Sequence, residues 1–140
     1  MLMFITGFLP FALGHIQNCL MLSNADAVLP YTLISVLFLF LWAFLAFLLN
    51  KRGKRTKQTL LFLNLPAAAV LALLGVQELL LHRYWPNAIG IWTQIFYLPL
   101  VNLGALLTGW SHSLFAAYAA SFLLILAAAY AGCRLRKGER

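Results

Sequence analysis

Five runs of 19 to 23 mostly apolar residues, joined by connectors of at most ten, set the limits on what this chain can fold into. The runs are Met1–Leu22, Val28–Leu49, Thr59–Leu81, Trp92–Trp110 and Leu114–Cys133. Each is close to the roughly 20 residues that cross a bilayer's hydrocarbon core as a helix. Helix is required there, because lipid offers backbone N–H and C=O groups no partners. A membrane β-barrel would show alternating strands of about ten residues, and none occur. The reading is an all-α, polytopic (multi-pass) integral membrane helix bundle with five hydrophobic helices, forming one domain over residues 1–140. The connectors leave no room for a folded soluble domain. Any chemistry must use groups in or beside the bilayer.

Composition agrees. The chain is 64% hydrophobic and only 9% charged. A soluble domain carries about a quarter charged residues, and a disordered segment lacks this much apolar surface. The net charge of +7 does not point to nucleic acid. The basic residues gather at the ends of the apolar runs, as membrane orientation requires. Lys51, Arg52, Lys54, Arg55 and Lys57 could meet anionic headgroups, so membrane lipids are the expected partners. The first run has no basic leader and no small-residue cleavage pattern, so it is expected to be kept as a helix. The cell membrane is the expected location.

Local signals mark the boundaries. A polar turn over Ser23–Asp26 follows the first run, and Pro30 suits the first turn of the second helix. The second run is apolar on every side and is expected to face lipid broadly. Pro66 should bend the third helix. The connector His82–Asn87 has interfacial chemistry, as do Trp92 and Trp110.

Charge and length disagree about the fourth run. If all five runs cross, five Lys/Arg fall on each side. If the fourth dips in and returns, the 51–57 segment and the tail share a side, and only Arg83 faces them. The second arrangement, four crossing helices plus one re-entrant, follows the positive-inside rule. The first respects the two tryptophans, about 27 Å apart at 1.5 Å per residue. Hydrophobic length favours five crossing helices, with the re-entrant form as the alternative.

Polar residues inside apolar helices are the candidate site. Glu78 is the only acid within a run, and such carboxylates are functional candidates or interfacial anchors. It belongs to a stripe on the third helix with Asn64, Ala68, Ala72, Gly75 and His82. His15, Gln17 and Asn18 end the first helix. Gln77, Gln94 and Asn102 complete the set, and His112 joins it if the fourth run is re-entrant. Glu78 and His82, four residues apart, are weak candidates for a metal, since carboxylate and imidazole both suit zinc; no cofactor is specified. The expected function is binding or transport of a small or amphipathic molecule in a polar-ended cavity between helices one, three and four. An intramembrane enzyme, metal-assisted through Glu78 and His82, and an accessory subunit of a larger complex are the alternatives. On the last helix, Ala116, Ala120, Ala127 and Ala131 form one small-residue face, and Ala117, Ser121, Ala128 and Gly132 another. Such faces pack helices within a protomer or form a homo-oligomer seam. Cys19 and Cys133 form no pair motif; Cys133, beside the basic tail, is a candidate for palmitoylation.

Overall fold

A computed structural model describes residues 2–23, 30–50 and 56–138. The polar turn after Ser23, most of the basic 51–57 segment and the last two residues lie outside the described residues. The described chain is all-helical: α1 (Leu2–Thr6), α2 (Leu9–Ser23), α3 (Tyr31–Leu49), α4 (Thr56–Gly75), α5 (Ala88–Leu107) and α6 (Leu114–Gly138). A single π-helical turn, Val76–Leu80, extends α4. Taking α1 with α2 and α4 with its π turn, five helices are long and apolar enough to cross a membrane. The protein is a multi-pass helical membrane bundle.

Three helices set its axis. α3 and α6 run parallel in close contact. Gly132 lies against Ala43, the Cys133 Sγ approaches the Ala46 carbonyl at 3.9 Å, and Arg136 stacks over Phe47 at 4.7 Å. The stripe that α3 buries is Ser35, Phe38, Trp42 and Ala46. So the second run does carry polar groups inward: Trp42 Nε1 donates to Asn64 Oδ1 at 3.4 Å. α4 runs antiparallel to both. At one end Asn50 Nδ2 donates to Thr56 Oγ1 and to the Cys133 carbonyl, each at 3.1 Å. That end holds the close of α3, the start of α4 and the close of α6. Lys57, Arg134 and Arg136 lie toward it, so it is the basic end.

The path of α5 follows from its partners. Its first turns meet the last turn of α4, where Gln77 Nε2 donates to Thr93 Oγ1 at 3.3 Å. Its last turns meet the first turn of α3, where Asn102 Nδ2 donates to Thr32 Oγ1 at 3.0 Å. They also meet the start of α6: Gly104 lies against Ala117, and Ser121 donates to the Leu100 carbonyl at 3.2 Å. α5 therefore begins and ends at the end opposite the basic one, lying across the other helices. The Tyr97 side chain reaches further along α4, donating to the Ala67 carbonyl at 2.6 Å. The count of five apolar helices stands, and the fourth takes the returning path that the charge distribution favours. A helix of 20 residues, about 30 Å long, can lie this way because nearly all of its interior backbone groups are bonded within it.

α2 runs alongside α5, with the rings of Phe11 and Trp92 6.2 Å apart. Pro99 lacks an N–H, which frees the Ile95 carbonyl from its usual intrahelical bond. Gly14 packs directly on that carbonyl, where a Cβ would collide with it. Ser35 donates to the Pro99 carbonyl at 2.7 Å, so the disturbed turn of α5 is bonded to α3 as well.

Candidate functional site

The eight polar candidates do not form one cluster. Four of them occupy three separate places, and His15, Asn18, His82 and Gln94 stand apart from these.

The largest assembly surrounds Gln77 and Glu78 in the π turn. Widening the turn by one residue shifts the side chains that follow it. Gln77 is fully buried, donates to Thr93, and accepts the Trp85 backbone N–H at 3.0 Å. Glu78 accepts from the Tyr84 hydroxyl, the Ser113 hydroxyl, and the Phe115 backbone N–H at 2.7 Å. An ionised carboxylate only accepts, so three donors suit it. It also sits at the N-terminus of α6, where the helix dipole favours negative charge. Burial first, then the hydrogen bond to Glu78, pushes the Tyr84 phenol well above its ordinary range. The pair Gln77–Glu78 thus ties two separate connectors, residues 81–87 and 108–113, to one end of α4.

His82 is not part of that assembly. It is exposed, with a left-handed backbone at φ 50°. The Arg83 N–H closes back on the Gln77 carbonyl at 3.0 Å, so His82 occupies the stop position that a glycine usually fills. The π turn and this stop take Glu78 and His82 off the common α-helical face that their spacing implies. Among the described residues, no group of three or more His, Cys, Asp or Glu side chains comes together. His112 is exposed, beside Ser113 but on the same end as Glu78.

Asn102 forms the second place, bonded to Thr32. Gln94 is half-buried on α5. His15 is exposed on α2; its ring stacks on Phe11 at 6.4 Å and lies 3.7 Å from the Cys19 Sγ. Asn18 is half-buried.

Gln17 is the third place, and it differs from the rest. It is 6% exposed, and its Oε1 has no hydrogen-bond partner. It lines a groove of about 290 Å³ between α2 and α3, floored by Pro99, whose other walls are apolar: Leu13, Ile16, Leu20, Leu37 and Phe38 among them. The cavity expected between helices one, three and four also exists, at about 360 Å³, but its walls are Phe8, Phe11, Val70, Leu73, Trp92 and similar residues. Its one polar residue, Thr93, is already bonded to Gln77 and to the Gly90 carbonyl. The groove that holds an unbonded buried polar atom lies between helices one, two and four.

Sequence reasoning did not find Tyr84, Ser113, Thr93 or Ser35. Their partners are remote in the chain, and no spacing marks them. Cys133 is fully buried against α3, which removes it as an acylation site; Cys19 is exposed. Of the two small-residue faces on α6, Ala117, Ser121 and Gly132 are buried within the protomer, while Ala127 and Ala131 are exposed.

No protein-family model matches the chain, and neither the curated proteins nor the solved structures contain a match.

Proposed function

We propose that this is a non-enzymatic protein of the cell membrane that binds an amphipathic molecule within the bilayer, in the groove between α2 and α3. The observation that carries the reading is the unpartnered Oε1 of buried Gln17. A buried acceptor left without a partner costs about 1–3 kcal/mol. Water does not reach hydrocarbon depth readily, so a ligand's donor, met by a turn of the Gln17 amide toward the groove, is the natural complement. The remaining walls are apolar and the groove is small, near the lower limit for ligand sites. The fitting ligand is an aliphatic chain bearing a hydroxyl or amide N–H. Glu78 has a different task, since both its oxygens are occupied in holding α6 and the connectors.

The test is mass spectrometry of small molecules retained by protein purified from membranes in a neutral detergent. Wild type is expected to carry a hydroxyl- or amide-bearing lipid that the Gln17→Leu variant lacks. After complete delipidation the variant should melt higher than wild type, because it no longer buries an orphan acceptor. If both proteins retain the same molecules in the same amounts, the reading fails.

A further inference from the structure

We propose that the groove between α4 and α6 is a binding site for one anionic phospholipid, whose headgroup phosphate pairs with Lys57 and one of whose acyl chains lies along the groove. The groove has a volume of about 370 Å³ and is lined by Lys57, Leu61, Asn64, Ala68, Phe122 and Leu126, among others. Three features fix the occupant.

The first is polarity. Asn64 is the only polar side chain below the mouth, and its amide is committed: Nδ2 donates to the Leu60 carbonyl at 2.9 Å and Oδ1 accepts from Trp42. The rest of the groove's length is apolar, so a hydrocarbon chain is what it suits. The second is length. From Lys57 to Ala68 the helix rises about 16 Å, which is about half of a 30 Å hydrocarbon core. The groove thus spans one leaflet, the depth of a single acyl chain. The third is charge. Lys57 is exposed at the mouth, at the end where α6 carries Arg134 and Arg136, in a chain of net charge +7. An anionic headgroup is favoured there over a zwitterionic one.

This site is separate from the Gln17 groove, and its success or failure leaves that reading untouched. The experiment is native mass spectrometry of the full-length protein in neutral detergent, titrated with phosphatidylglycerol or phosphatidylcholine. Wild type is expected to bind the first phosphatidylglycerol at least fivefold more tightly than phosphatidylcholine. Lys57→Gln, an exposed substitution, should weaken phosphatidylglycerol binding about fivefold and leave phosphatidylcholine unchanged. Ala68→Phe, which fills the groove, should weaken both lipids, with thermal melting used to confirm that it folds. Soluble glycerol phosphate, which lacks the chain, should not compete. Equal affinity for the two lipids, an unaltered phosphatidylglycerol titration in Lys57→Gln, or full competition by glycerol phosphate would overturn the proposal.

Discussion

Glu78 shows how one ionisable side chain in an apolar helix can be explained by what it holds. Its carboxylate collects two hydroxyls and a backbone N–H from three different stretches of chain. The Tyr84 phenol, raised by burial and by this carboxylate, binds its proton more tightly in the folded protein than in the unfolded chain. The sign follows: the stabilisation is fully present below pH 10 and is lost as pH climbs through the raised value. Tyr84→Phe should therefore melt below wild type at neutral pH, and the gap should narrow above pH 10. Melting curves in detergent at several alkaline pH values check this; parallel curves would rule out the bond. None of these partners was legible from the sequence. Glu78 itself was, because a lone acid in an apolar run stands out. Tyr84 and Ser113 sit in connectors, where aromatic and hydroxyl residues are common at any membrane interface.

At the scale of elements, the five helices were legible and their ends were less so. The fourth starts at Ala88, four residues before Trp92, because Asn87 accepts the Gly90 N–H at 2.9 Å and caps it. The tryptophans mark an interface by composition, whereas a hydrogen bond sets the first turn. The last helix continues past Cys133 to Gly138, since Arg, Leu and Lys are good helix formers beyond the apolar run. The first run is two helices, interrupted at Gly7 and Phe8, with Pro10 in the first turn of α2. Small residues were legible as packing faces, but which face is used depends on the neighbouring helices. Gly132 sits where a Cβ would strike the Ala43 backbone. Gly132→Val should separate α3 from α6 and lower stability by about 1–3 kcal/mol, whereas Ala131→Val, on the exposed face, should change it by less than about 0.5 kcal/mol. Thermal unfolding of the two variants side by side is the measurement.

For the whole molecule, the returning path of α5 resolves the tie in the charge count. Among the described residues, Lys57, Arg134 and Arg136 share one end and Arg83 lies at the other. In a cell membrane, the positive-inside rule then predicts a single orientation with the tail cytoplasmic. A reporter fused to the C-terminus and active only in the cytoplasm should give signal, and one active only outside should give none. Signal from both would mean mixed insertion and would contradict the charge assignment. Sequence alone left this open because hydrophobic length cannot distinguish a helix along the bundle axis from one lying across it. The contacts of Thr93, Asn102 and Gly104 make that distinction.

The same crosswise helix has a mechanical consequence. It adds its bulk to one leaflet only, so the protein displaces more lipid on that face than on the basic one. A body of that form is a wedge, and a wedge sits at lowest cost where the sheet around it already curves toward its narrow side.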